Sequence, residues 1–179
     1  MIALQKIIAF SGPRACGKST IAEHLITQKG YNRLAFADVL REIASLYSQD
    51  SANNRIFLSA LGNKLREFVP DFFLQVMERR LITAGEYIVI EDIRFPAELE
   101  FCKAIGATTI RLKIPVETQL NNLVERGSNR DDAKILVNCQ DEFLLDETCD
   151  WDFIIPAVGD FRILASEIHI LVNGDVESE

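Results

Sequence analysis

Eight consecutive residues, Gly12-Pro13-Arg14-Ala15-Cys16-Gly17-Lys18-Ser19, constrain this chain more than any other stretch. They spell G-x-x-x-x-G-K-S, the pattern of a loop that wraps a polyphosphate. The surroundings agree. Ile7-Ile8-Ala9-Phe10 ahead of the loop is an apolar run of strand length, and the segment from Thr20 to Ile26 behind it sets Ile21 and Leu25 on one helical face. Gly12 and Gly17 let the backbone turn so that successive N–H groups point inward. A helix starting near Lys18 adds the positive end of its dipole. In such a loop Arg14, Ala15 and Cys16 line the phosphates between the glycines, with Thr20 following on the helix. Lys18 reaches the terminal phosphates, and Ser19 offers a hydroxyl to Mg²⁺. The motif predicts a nucleoside triphosphate site.

Tyr87-Ile88-Val89-Ile90 is the strongest buried-strand signal, and it runs directly into Glu91-Asp92. An apolar strand ending in a carboxylate is the second half of a phosphate-loop site, so Asp92 is expected beside Ser19 at the metal.

The other elements follow from periodicity. Residues 31–37 read as a weak second strand. Asp38 is expected to cap a helix whose apolar positions are Val39, Leu40, Ile43, Leu46 and Tyr47. Leu58, Leu61, Leu65 and Phe68 repeat at helical spacing up to Pro70, and Phe73, Val76, Met77 and Leu81 form a further helix closed by Gly85. These stripes are read as core. Residues 97–105 are helical, residues 108–114 a strand, and Val116, Leu120, Leu123 and Val124 a helix that ends in the polar piece from Arg126 to Asp132. Leu136, Cys139 and Phe143 mark another helix, and Phe153-Ile154-Ile155 a late strand. Asp160 caps the last helix, with Leu164, Ile168 and Leu171 inward, before an acidic tail from Gly174 to Glu179. Strands alternating with helices predict an α/β, three-layer fold: a mainly parallel sheet with helices on both faces. We expect a single domain over residues 1–179, with a helical insert at about 38–85 and a lid at about 126–133.

Composition narrows the function. The 179 residues suit one domain, and 48% are apolar. A net charge of −8 argues against a nucleic-acid partner, which wants a basic stripe, but not against small phosphorylated ligands. No apolar run reaches membrane-spanning length, and Gln5 and Lys6 interrupt a run too short for secretion, so a cytoplasmic location is expected. Cys16, Cys102, Cys139 and Cys149 lack metal-site spacing and read as free thiols, Cys16 being a small residue tolerated in the loop. His24 and His169 have no partner motif and read as structural. A homodimer is left open.

Two further blocks carry a resemblance. Phe36-Ala37-Asp38-Val39-Leu40-Arg41-Glu42 resembles the F-A-D-x-L-K/R signature of viral-type deoxynucleoside monophosphate kinases. The stretch Ile90-Glu91-Asp92-Ile93-Arg94-Phe95-Pro96-Ala97-Glu98 resembles their strand-ending D-x-R-F-x-x-E. Val116-Glu117-Thr118-Gln119-Leu120 onward to Arg126 is similar to a lid helix of dephospho-coenzyme A kinase, a related fold. Near the last strand, where the family tends to carry Asn, this chain has Pro156. The resemblance implies a P-loop small-molecule kinase that moves the γ-phosphoryl of ATP, as its Mg²⁺ complex, onto the phosphate of a nucleoside monophosphate.

Phosphoryl transfer requires positioning and positive charge, which the planar guanidinium supplies. Arg41, Arg66 and Arg94 are the expected binders of the acceptor phosphate. Arg126 and Arg130 are expected to close over ATP, and Arg79-Arg80 to be a solvated helix face. Asp38 follows a strand end, where ligands sit in open α/β sheets. Lys18, Asp38, Arg94 and Arg130 are thus the catalytic candidates. A phosphate acceptor is already ionised and leaves Asp38 to orient it, whereas a hydroxyl acceptor, as in dephospho-coenzyme A or a modified nucleoside in DNA, would make Asp38 a base. A non-catalytic nucleotide switch is the alternative from a different class.

Overall fold

The computed structural model describes residues 5–138, 144–145 and 150–174. Cys139, Phe143 and Cys149, and residues 175–179 of the acidic tail, lie outside that set. In chain order the elements are β1 (Lys6–Ser11), α1 (Lys18–Lys29), β2 (Asn32–Leu34), α2 (Asp38–Tyr47), α3 (Gln49–Asn53), α4 (Arg55–Phe68) and α5 (Phe72–Leu81). There follow β3 (Tyr87–Ile93), α6 (Pro96–Ala104), β4 (Thr108–Lys113), α7 (Val116–Glu125), α8 (Arg130–Val137), β5 (Phe153–Pro156) and α9 (Phe161–Asn173). The chain divides into two compact units, one of Met1–Arg33 with Glu86–Glu179 and the other Leu34–Gly85.

The first unit is built on a sheet of order β2-β3-β1-β4-β5, the α/β arrangement expected from the alternating pattern. β1 lies at its centre and pairs in parallel with β3 and β4, and β4 pairs in parallel with β5. Parallel strands covered on both faces read as near-continuous apolar runs, and Ile7 through Phe10 and Ile88 through Ile90 are buried accordingly. On one face Ile8, Phe10, Val89, Ile110 and Leu112 pack against Ile21, Ala22 and Leu25 of α1 and Leu164, Ala165 and Ile168 of α9. The strand order moves outward from β3 past β1 to β4, so a right-handed crossover puts α6 on the opposite face. Burying each of these large side chains stabilises the fold by about 1.5–3 kcal/mol.

Several expectations about ends need correction. β2 has only three residues. β3 does not stop before the acids; it continues through Glu91 and Asp92 to Ile93. The β1–β3 register runs Ala9↔Ile90 and then Ser11↔Ile93, so β3 carries one extra residue opposite Phe10. That bulge falls on the acid pair. Leu171 shares the face of Leu164 and Ile168 but overhangs in the last turn, 48% exposed. Asp160 does cap α9, accepting from the Arg162 N–H at 2.8 Å. The Arg162 side chain, then its N–H, hold the Asp160 carboxyl below the usual carboxylate range.

The second unit is four helices. Ser48 and Asn54 cap α3 and α4 with their side chains, Asn54 accepting from both the Ile56 and Phe57 N–H groups. Asp38 is not a cap. It is the first helical residue, preceded by Ala37, and its carboxylate accepts from Arg41 at 3.1 Å. The last predicted helix ends at Leu81 rather than at Gly85. The apolar stripes are core only in part. Val39, Leu40, Ala44, Phe73, Met77 and Leu81 are buried, but Leu46, Tyr47 and Phe68 are 88%, 80% and 85% exposed. These three stand in final turns that overhang what the helix bodies bury, and Tyr47 stacks on Phe57 instead. Arg80 pairs with Glu42 at 2.6 Å, so of the expected solvated pair only Arg79 is exposed. Among the described residues no helix is long and apolar enough to cross a membrane.

Candidate nucleotide-binding site

The loop between β1 and α1 takes the shape its sequence predicts. Gly12 and Gly17 stand at φ +145° and +96°, and Ala15 at +58°. These left-handed turns reverse the chain between the end of a buried strand and the first turn of a 12-residue helix. Gly12 has no room for a side chain, because a Cβ there would lie 2.7 Å from the Leu112 carbonyl oxygen. Gly17 is covered by Phe161, the first residue of α9, whose ring would meet a Cβ at 2.6 Å. The Gly17 carbonyl accepts from the Thr20 and Ile21 N–H groups and starts the helix.

Lys18 folds back over the loop. Its ammonium donates to the Gly12 carbonyl at 2.6 Å, to the Pro13 carbonyl at 2.8 Å and toward Cys16 Sγ at 3.6 Å. A lysine ammonium has three protons, so it can exchange these bonds for phosphate oxygens without leaving the loop. Cys16 is wholly buried. Ser19 and Thr20 are exposed on the first turn of α1.

The arginines expected to close over ATP, Arg126 and Arg130, belong to helices that rest on the loop. Leu123 of α7 and Ala133 and Val137 of α8 pack with Ala15, and Asn122 Nδ2 donates to the Ala15 carbonyl at 2.9 Å. Sequence reading missed Asn122, which nothing marks among the polar positions of a surface helix. Arg126 is exposed as the C-cap of α7. Arg130, expected in the polar piece after α7, opens α8 behind the Asn129 cap. Its pair with Glu117 at 3.4 Å has both partners well exposed and is easily exchanged for a ligand.

On β3, Glu91 pairs with Arg33 at 2.5 Å. Asp92 is half-buried, as is Arg94 just past the strand. Glu98, met above only as part of a motif, has a defined role. It is buried at the third position of α6, and its carboxylate accepts from the backbone N–H groups of Arg94 and Phe95 at 2.9 and 3.2 Å. It thereby fixes the turn that carries Arg94. Burial above all, then the charges of Glu98 and Asp92, push the Cys102 thiol far up, so it is no nucleophile. Replacing Glu98 by alanine strands two N–H groups. We expect it to cost about 2–3 kcal/mol, a fall of roughly 4–12 °C in Tm, with Glu98→Gln much milder. A Glu98→Ala protein melting within about 1 °C of the parent would remove this role.

A polar pair below the loop was also missed. Arg111 on β4, only 5% exposed, donates from Nη1 to Ser11 Oγ at 2.8 Å. Ser11 in turn donates to the Ile93 carbonyl at 2.8 Å. A charged residue inside the buried run Thr-Thr-Ile-Arg-Leu-Lys was the available signal.

Asp38, Arg41 and Arg66 belong to the second unit. There Asp38 and Arg41 pair, and the Arg66 guanidinium lies 4.2 Å from the Phe73 ring centroid. Both histidines are half-buried. His169 Nδ1 lies 3.2 Å from the buried Tyr31 hydroxyl and 3.1 Å from Asn173 Nδ2.

A central β1 running into a glycine loop and helix, within this sheet order, is the fold of P-loop kinases. Among solved structures the chain is similar to TT1252 from Thermus thermophilus, with 17% identity, TM-score 0.64, and coverage of 93% of this chain and 96% of that one. It is similar to shikimate kinase from Acinetobacter baumannii in complex with shikimate, at 18% identity, TM-score 0.58 and coverage of 97% and 96%. Shikimate kinase from Aquifex aeolicus follows at 19%, TM-score 0.57, and 94% and 96%. At these identities the likeness establishes the fold alone. No protein-family model and no curated protein matches the sequence.

Proposed function

We propose that this protein is an ATP-dependent phosphotransferase that moves the γ-phosphoryl group of Mg-ATP onto a (deoxy)nucleoside monophosphate. The observation that carries the transferase reading is the loop itself, with Lys18 held at 2.6 and 2.8 Å on the carbonyls of Gly12 and Pro13 at the head of α1. The monophosphate acceptor rests on the resemblance of residues 36–42 and 90–98 to viral-type deoxynucleoside monophosphate kinases, and on the arginines of those segments.

The donor set suits Mg²⁺, a hard cation that takes oxygen ligands and keeps several of its waters. Ser19 and Asp92 would supply the protein oxygens. Among the described residues no cluster of three or more His, Cys, Asp or Glu offers an all-protein cage. When bound, the ion neutralises charge on the transferring phosphates. The chain's own residues do the rest. Loop amides and the N-terminus of α1 hold the β- and γ-phosphates, and Lys18 passes from loop carbonyls to phosphate oxygens. Arg126 and Arg130 cover the transferring group, and Arg41, Arg66 and Arg94 hold the acceptor. An acceptor phosphate is ionised at neutral pH, so Asp38 need only orient it, in keeping with its pairing to Arg41.

The test is incubation with Mg-ATP and a panel: nucleoside monophosphates, dephospho-coenzyme A, shikimate and DNA. Phosphate gained by a monophosphate supports the reading. Phosphate gained only by a hydroxyl acceptor replaces it with the hydroxyl-kinase reading, in which Asp38 is the base. Turnover of ATP indifferent to every acceptor leaves the switch. On the favoured reading, Arg94→Ala should raise the acceptor KM or lower kcat by about 10-fold or more while ATP affinity holds. The reverse split would move Arg94 to the ATP side.

A further inference from the structure

The pair below the loop joins three strands at the level where the site is built. Arg111 belongs to β4, Ser11 ends β1 and immediately precedes Gly12, and Ile93 ends β3 between Asp92 and Arg94. One hydroxyl links them, accepting from the Arg111 guanidinium and donating to the Ile93 carbonyl, each at 2.8 Å. Both bonds are buried. Because the guanidinium is a donor only, it fixes the direction of the whole relay: the Ser11 proton is committed to Ile93.

The link closes the β1–β3 bulge. The register passes from Ala9↔Ile90 to Ser11↔Ile93, and the extra residue falls at Glu91-Asp92. Bulges re-aim side chains near functional sites. A bulge leaves its extra residue unpaired and the backbone ladder locally disrupted. Here the Ser11 hydroxyl bonds the Ile93 carbonyl just where the register resumes.

We propose that Ser11 and Arg111 are positioning residues that clamp this bulge and so set Asp92, and Arg94 beyond it, in register with the phosphate loop. The inference rests on the reading of Asp92 as a ligand of the nucleotide's Mg²⁺. Neither residue touches the substrate. They act through the strand, and their loss should appear in metal affinity before nucleotide affinity.

The experiment uses the full chain with ADP and Mn²⁺, the latter read by its paramagnetic resonance signal, alongside ADP binding in EDTA and steady-state kinetics. Ser11→Ala should weaken Mn²⁺ binding to the ADP complex by roughly 10-fold or more, with metal-free ADP affinity unchanged and kcat lowered. Ser11→Thr, which keeps the hydroxyl, should restore all three. Arg111→Lys should fall between, because an ammonium reaches Ser11 as a single point donor. If Ser11→Ala does not fold, Arg111→Lys alone decides by the same Mn²⁺ measurement. The sole tryptophan, Trp151, whose ring centroid is 6.0 Å from the Arg111 guanidinium, gives an emission check that the variant keeps its local packing. Unchanged Mn²⁺ affinity in a folded variant overturns the clamp. So does an equal loss of metal-free ADP binding, which would make Ser11 a loop residue only. A wild-type protein that binds ADP but no Mn²⁺ overturns the metal reading of Asp92, and with it the clamp; one that binds no ADP overturns the site itself.

Discussion

Lys18→Ala should lower turnover by at least about 10³-fold, which is about 4 kcal/mol of transition-state stabilisation. The protein should still fold. Lys18 spends its ammonium on the carbonyls of Gly12 and Pro13, both only half-buried, and water can replace it there. On the proposed function the loss falls on the bound state, where the Lys18 charge would face the phosphate oxygens. Lys18→Arg should not rescue. A planar fork cannot occupy the place of a compact ammonium already within 2.8 Å of two backbone carbonyls. Thermal melts beside steady-state kinetics check the prediction. A folded Lys18→Ala protein that kept more than about a tenth of the parent's rate would end the phosphotransferase reading.

The parts of the fold legible in the sequence are those in which one local pattern has one meaning. G-x-x-x-x-G-K-S after an apolar run gave strand, loop and helix together, because Gly12 and Gly17 suit the positive-φ turns they make. Tyr87 to Ile90 read as a buried strand for the same reason. What could not be read depends on partners distant in sequence. Arg111 meets Ser11 across 100 residues. Asn122 finds the Ala15 carbonyl 107 residues away. Periodicity reports which side chains share a face, but not whether anything covers that face, so Leu46, Tyr47 and Phe68 read as core and are exposed. The bulge at Glu91-Asp92 has no local signature, since it is a mismatch between two strands. Asp38 shows the opposite failure: its residue type suits a cap, but the chain enters α2 one residue earlier and Arg41 takes the carboxylate. Glu98 lay in the motif as a letter, and only burial and two N–H contacts gave it a role.

Gly17→Ala should be strongly damaging, for two separable reasons. The backbone there stands at φ +96°, where an L-residue is strained by about 1–3 kcal/mol. The added Cβ would also lie 2.6 and 2.7 Å from Cε1 and Cζ of Phe161, so the ring or the loop must move. Overpacking of this kind costs about 1–3 kcal/mol more. If the loop yields, its amides lose their aim, and nucleotide affinity should fall by roughly 100-fold. Truncating the ring distinguishes the two terms. In the Gly17→Ala/Phe161→Ala double variant the clash is gone and the strain remains, so the two changes should couple, with the pair costing less than the sum of its members. Urea melts of the four proteins measure that coupling, and a nucleotide titration shows whether affinity recovers with it. Strict additivity would show that the ring does not press on Gly17. Gly12→Ala is the control, because its Cβ would meet the Leu112 backbone carbonyl at 2.7 Å. No side-chain truncation removes that oxygen, so Gly12→Ala should stay defective beside Phe161→Ala while Gly17→Ala partly recovers.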